Sequence, residues 1–166
     1  MEKKEVAILM GSKSDWDVMK DAVLALEQFG IGCETRVLSA HRAPGLVIDF
    51  IKESEKNGIS VFICGAGGAA HLAGLVAAHT SLPVIGIPVS SGSLNGMDSL
   101  LSTVQMPKGI PVATVAINGA YNAGLLAVQI LSVKNETLRN KICGYKNDLQ
   151  EKVKDASSSL QKELSK

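Results

Sequence analysis

Three short stretches of this chain carry the residue types from which an acid/base site is built. They are Gly11-Ser12-Lys13-Ser14-Asp15, Ser39-Ala40-His41-Arg42, and the ten residues Gly65-Ala66-Gly67-Gly68-Ala69-Ala70-His71-Leu72-Ala73-Gly74. The third is small or apolar throughout, except for one side chain that can move a proton. Three glycines in four positions let a backbone approach a ligand where any Cβ would block it. The stretch follows Val61-Phe62-Ile63-Cys64, a β-branched and aromatic run that reads as a buried strand, and it precedes an Ala/Leu/Val-rich helix. A strand, a glycine turn and a helix N-terminus make a concavity lined by backbone N–H groups, suited to anions.

Taken alone, each stretch has a structural reading. A Gly/Ala turn also serves close packing of a helix on a strand, Ser14 and Asp15 are natural helix caps, and Arg42 is a natural surface charge. Gly65, Gly67 and Ala70 also fit the letters of the dinucleotide pattern G-x-G-x-x-A. That pattern requires an acidic residue about 20 positions later to hold a ribose. No Asp or Glu occurs from Asn57 to Met97, which argues against a nicotinamide or flavin site.

The elements that must position these groups alternate. Val6 to Met10 is an apolar strand, and from Trp16 the apolar residues Met19, Val23, Leu26 and Phe29 recur at helical spacing. Ser14 or Asp15 is expected to cap that helix and Gly30 to stop it. A second strand is expected from about Cys33 to Leu38 and a helix from Leu46 to Asn57, stopped by Gly58. A third strand, Ser60 to Cys64, leads into the glycine turn and a helix from Leu72 to His79. Pro83 to Pro88 reads as a fourth strand, followed by a polar loop holding Ser90, Ser91, Gly92, Ser93, Asn95 and Gly96. A short helix follows from Asp98 to about Val104, a fifth strand from Val112 to Ile117, and a helix from Asn122 to Val133. Strands joined through helices by short links make a parallel sheet. The expected fold is therefore a three-layer α/β/α sandwich of flavodoxin-like type, with the α/β core at about residues 5–133 of a single domain. From Asn135 to Leu164 the apolar residues Leu138, Ile142, Tyr145, Leu149, Val153, Leu160 and Leu164 keep close to a heptad spacing. A continuous helix of that length reaches on the order of 45 Å, which implies packing on another subunit; a break near Gly144 or Ser157-Ser158-Ser159 is the alternative.

Composition narrows the function. The 166 residues are 46% hydrophobic but only 4% aromatic, and 16 are glycine, so closely approaching backbones of small residues are expected in the core. Net charge is +1 with no basic run before Lys134, which argues against nucleic acid. No window of about 20 residues is apolar without interruption, so no membrane span is expected, and the N-terminus lacks the apolar core of a signal peptide. Cys33, Cys64 and Cys143 match no zinc spacing and point to a reducing compartment, the cytoplasm.

In open parallel sheets ligands bind beyond the carboxyl ends of the strands. Three consecutive strands deliver polar groups there: Ser12, Ser14 and Asp15 from the first, Ser39, His41 and Arg42 from the second, His71 and the glycine turn from the third. Hydroxyls and a guanidinium suit a phosphate, and an ionised Asp15 suits sugar hydroxyls. There is no G-x-x-x-x-G-K-[ST], no H-E-x-x-H and no G-x-S-x-G. What remains is proton transfer on a phosphorylated sugar, with no metal or nucleotide cofactor.

Together with Asp98-Ser99-Leu100-Leu101 and Val104-Gln105-Met106-Pro107, these motifs resemble the N5-carboxyaminoimidazole ribonucleotide mutase family of purine biosynthesis, in register from about Val6 to Leu131. Ala73 stands where that family usually has Pro, and Ala43 where Thr is common. The resemblance implies a cofactor-free isomerase that moves a carboxylate from an exocyclic nitrogen to ring carbon C4 of an aminoimidazole ribonucleotide, through CO2 held in the pocket. It implies His71, His41 and Ser39 as the catalytic set, with His71 the proton shuttle. Ser12, Ser14, Asp15, Ser39, Ala40, Arg42, Ala66, Gly67 and Leu72 are the implied substrate-binding set. It also implies a homo-octamer, with subunit boundaries near the active sites. Two other readings stand beside it: a related carboxylase that uses free CO2 and lacks a histidine matching His71, and a sugar-phosphate binding module without turnover.

Overall fold

The computed structural model describes residues 3–165. The chain forms two compact units divided between residues 130 and 131. The first is built on five parallel strands in the order β2-β1-β3-β4-β5: β1 (Lys4–Met10), β2 (Gly32–Val37), β3 (Val61–Gly67), β4 (Val84–Val89) and β5 (Ala113–Thr114). This is the flavodoxin-like order, in which the connection reverses direction between β1 and β3 and opens a crevice there. The helices are α1 (Trp16–Gln28), α2 (Pro44–Lys56), α3 (Leu72–His79), α4 (Met97–Val104), α5 (Ala120–Ser132) and α6 (Glu136–Leu164).

Near-continuous apolar strands are what a sheet covered on both faces needs. Val6, Ala7, Ile8, Leu9, Val61, Phe62, Ile63, Ile85 and Ile87 are all buried. Successive side chains alternate between the two faces. Ala7, Leu9, Phe62 and Cys64 pack with Val47 and Ile51 of α2 and with Leu72, Ala73 and Val76 of α3. On the opposite face lie α1 and α5, which approach so closely that a Cβ on Gly124 would sit 2.6 Å from Ala25 Cβ and 2.8 Å from the Ala22 carbonyl. The low aromatic content thus goes with a seam of small residues.

Three features depart from the sequence reading. The third strand runs on through Gly65, Ala66 and Gly67, which pair with Ile87, Pro88 and Val89, so the chain turns three residues later, at Gly68 with φ +62°. A Cβ at 65 or 67 would have to displace Met19 Sδ or Ser91 Oγ, so glycine lets these side chains pack directly on β3. The fifth strand shrinks from Val112–Ile117 to two paired residues. Pro111 has no N–H to donate, and beyond Thr114 only Val115 N–H to the Gly86 carbonyl and Asn118 N–H to the Pro88 carbonyl follow β4. Asp15 stands at the N-cap of α1, but neither it nor Ser14 caps that helix by a side-chain hydrogen bond. Ser12 instead caps a single 3-10 turn, Lys13–Asp15, in a capping box with Asp15.

The second unit holds α6, 29 residues without a break at Gly144 or Ser157–Ser159. Asn135 caps it by accepting from Leu138 N–H at 3.0 Å. Leu138 and Ile142 are buried, whereas Leu149, Val153, Leu160 and Leu164 are exposed. The apolar stripe read in the sequence is present on the helix, and this chain alone does not cover its far half.

Candidate active site

The carboxyl ends of β1, β2, β3 and β4 open into one cavity of about 370 Å³. Its lining includes every residue singled out from the sequence: Ser12, Ser14 and Asp15 after β1; Ser39, Ala40, His41 and Arg42 after β2; and Ala66, Gly67, His71 and Leu72 from the end of β3 onward. Gly11 and Ala69 complete these loops, and Ser91, beyond β4, adds a group that the sequence reading left in a polar loop.

The β1 loop is closed on itself by hydrogen bonds. Ser12 N–H donates to Asp15 Oδ2 at 3.0 Å, Ser14 N–H to Ser12 Oγ at 3.3 Å, and Ser14 Oγ to Ser12 Oγ at 2.9 Å. Asp15 is buried. That burial pushes its carboxyl above the usual range, against the opposing effects of the Ser12 and Ser14 hydrogen bonds and the Arg42 charge.

Arg42 crosses from the β2 loop to the β1 loop. Its Nη2 donates to the Gly11 carbonyl at 2.7 Å and its Nε to Ser39 Oγ at 3.2 Å. Two of five guanidinium donors are thereby used, leaving three for a ligand. A pre-positioned cation beside serine hydroxyls is suited to a phosphate.

Thirty positions apart in the chain, His41 Nε2 and His71 Nδ1 lie 2.7 Å apart, with the rings edge to face at 86° and centroids 4.8 Å apart. The remaining nitrogens, His41 Nδ1 and His71 Nε2, have no hydrogen-bond partner among the described residues. A hydrogen bond between two imidazoles needs one nitrogen to donate and the other to accept, so the bonded pair carries at most one extra proton. Such a pair can pass a proton from one ring to the other.

His71 stands at the N-cap of α3. The backbone cradle is narrower than the glycine turn suggested, because Ala70 N–H and His71 N–H donate to the carbonyls of Gly68 and Ala69. The free donors are those of the first turn of α3. Among the described residues no three His, Cys, Asp or Glu side chains are grouped to hold a metal ion, and no helix is long and apolar enough to cross a membrane. Cys33, Cys64 and Cys143 are free thiols, and burial pushes those of Cys33 and Cys64 up.

This is the architecture of a flavodoxin-like α/β protein with a small-ligand site at its switch point. Residues 5–152 match the AIR carboxylase family, and the chain belongs to that family. It is 58% identical over 149 residues to N5-carboxyaminoimidazole ribonucleotide mutase of Saccharolobus solfataricus, covering 90% of this chain and 94% of that protein. It is 52% identical to the Mycobacterium tuberculosis protein of the same name, covering 97% and 92%. The crystal structure of Treponema denticola PurE superposes with a TM-score of 0.87 at 31% identity, covering 95% of this chain and 98% of that one.

Proposed function

We propose that this chain is an isomerase of de novo purine biosynthesis that converts N5-carboxyaminoimidazole ribonucleotide to 4-carboxy-5-aminoimidazole ribonucleotide. The observation that carries this is the His41–His71 pair, 2.7 Å apart, in a cavity that Arg42, Ser12 and Asp15 also line. Relatives at 52–58% identity bear the name of that mutase.

The reaction divides into two proton-coupled steps. The carbamate N–C bond breaks, the exocyclic nitrogen takes a proton, and CO2 is left in the cavity. Carbon C4 then attacks CO2, and the proton on C4 leaves as the ring recovers aromaticity. One proton goes out and one comes back, so a single shuttle suffices, and general acid/base catalysis of this kind is worth roughly 10²- to 10⁴-fold. The paired geometry favours His41 and His71 acting together over His71 acting alone. The Ala66, Gly67, Ala69 and Leu72 wall gives CO2 an apolar resting place. Arg42 and the Ser12–Ser14 cradle take the phosphate, Asp15 the ribose hydroxyls, and Ser39 orients Arg42 from beneath. Neither step calls for a cofactor.

The deciding experiment supplies N5-carboxyaminoimidazole ribonucleotide without ATP and follows formation of the C4-carboxylated isomer. Isomer formed only in the presence of added bicarbonate would favour the free-CO2 carboxylase, and tight binding without turnover the binding module. Within this reading, Arg42→Ala should raise KM for the ribonucleotide by the loss of a charge-assisted hydrogen bond, about 1.5–3 kcal/mol. An unchanged KM would remove Arg42 from phosphate binding.

The reading extends to a cytoplasmic homo-octamer. Met97, Leu101 and Val104, on one face of α4, are each about half exposed, as are Leu149 and Leu160 of α6, and exposed apolar faces of this kind suit burial between copies. Truncation before Asn147 should lower the mass or the thermal stability of the assembly seen by light scattering. A truncated protein of undiminished size and stability would show that the far half of α6 holds nothing together.

A further inference from the structure

We propose that Ser91 is a substrate-binding residue for the carboxyl group in transit, donating its hydroxyl to an oxygen of the carboxylate and of the CO2 it becomes. The inference deepens the carboxyl-transfer reading and rests on it.

The strand order fixes which part of a ligand each loop can meet. Arg42, Ser12 and Asp15 sit over β2 and β1, and Ser91 sits beyond β4, on the far side of β3. Adjacent strands lie about 4.8 Å apart, so the span from β1 to β4 is about 10 Å. With its phosphate at the Arg42 end, an extended ribonucleotide reaches across β3 with its heterocycle foremost. The His pair then meets the ring, and the group attached to the ring meets the β4 loop.

Ser91 is placed by long-range contacts. Gly67 pairs in register with Val89, two residues before it, and Ser91 Oγ occupies the place a Cβ on Gly67 would take. The loop is pinned at its root by Ser90 N–H, which donates to Asn118 Oδ1 at 2.8 Å. Asn118 itself is held with φ +57°. The two ends of the loop are drawn together by Ser99 Oγ, 2.9 Å from both the Val89 and the Gly96 carbonyls. Ser91 begins a short 3-10 turn at Gly92–Leu94 but makes no side-chain cap. Its hydroxyl therefore lines the cavity with no hydrogen-bond partner among the described residues.

The chemistry suits a neutral donor. A cation at this end would hold the carboxylate as an ion and oppose its conversion to uncharged CO2. A hydroxyl can donate to carboxylate and CO2 alike, and it loses no proton in either step. Removing it should leave phosphate-end binding intact and let CO2 escape before C4 captures it.

The test uses substrate labelled with ¹³C at the carboxyl group, in unlabelled bicarbonate, with wild-type protein and Ser91→Ala. The readout is the ratio of label lost to solvent to label retained in the isomer. Loss of one ordinary hydrogen bond should raise that ratio roughly 3- to 10-fold, with KM for the ribonucleotide rising by no more than the same factor and thermal unfolding unchanged. Asn118→Gly accepts the same backbone conformation but releases Ser90, and it should move the ratio in the same direction by less. An unchanged ratio in Ser91→Ala overturns the inference while wild-type isomerisation keeps the carboxyl-transfer reading. Absence of isomer from the wild-type protein removes both.

Discussion

Replacing His71 by Asn should lower kcat by at least about 10²-fold, the ordinary worth of general acid/base catalysis, while substrate still binds. The same loss is expected for His41→Asn. The reason lies in the pair: with His41 Nε2 and His71 Nδ1 at 2.7 Å, either ring alone loses its relay. Residues that act as one unit are grossly non-additive, so the double substitution should cost little more than the worse single one. Single-turnover measurements on the two singles and the double decide this. Activity within a few-fold of wild type for either single removes that ring from the mechanism. Losses that multiply in the double would show two independent roles in place of a shared proton. Asparagine is the fitting replacement, because its amide keeps a donor and an acceptor near the ring positions but neither takes up nor gives up a proton at neutral pH.

Much of this site was legible in the sequence because its signals are local. A β-branched run ending in glycine marks β3, and the Ala/Leu run from Leu72 to His79 marks α3 at the bounds observed. The alternation of strands and helices gave the parallel sheet, and the rule that ligands sit at carboxyl ends then gathered Ser12, Asp15, Arg42 and His71 without any contact being known. The features missed depend on register between distant segments. Nothing near Ser91 distinguishes it from Ser90 or Ser93; only the pairing of Gly67 with Val89 brings it to the cavity. The strand character of Gly65–Gly67 was hidden for the same reason, since glycine signals a turn locally and close approach globally. One miss had a local signal. Ser12-Lys13-Ser14-Asp15 is a capping-box pattern, and it places the cap at Ser12. The heptad in α6 was also legible, but a heptad states which face is apolar and does not state what covers it.

The seam between α1 and α5 gives the largest expected stability effect. A leucine in place of Gly124 should destabilise the fold by about 3 kcal/mol, the upper part of the usual cost of overpacking. Two effects oppose each other there. Removing glycine from a helix interior gains about 1 kcal/mol in intrinsic propensity, and on a free surface that would stabilise. At 124 the new Cβ meets Ala25 Cβ at 2.6 Å and the Ala22 carbonyl at 2.8 Å, and Ala22 and Ala25 are wholly buried. The contact on the α1 side includes backbone, which cannot rotate away, so the helices must separate and the buried Ala123, Ala127 and Val128 lose packing. The clash outweighs the propensity. For a chain of this length 1 kcal/mol corresponds to roughly 2–4 °C in Tm, so a fall of about 6–12 °C is expected by calorimetry. Gly144→Leu is the control, since a Cβ there meets nothing within 4 Å, and it should hold or raise Tm. Should Gly124→Leu match that control, α1 and α5 do not pack as closely as the small-residue seam requires.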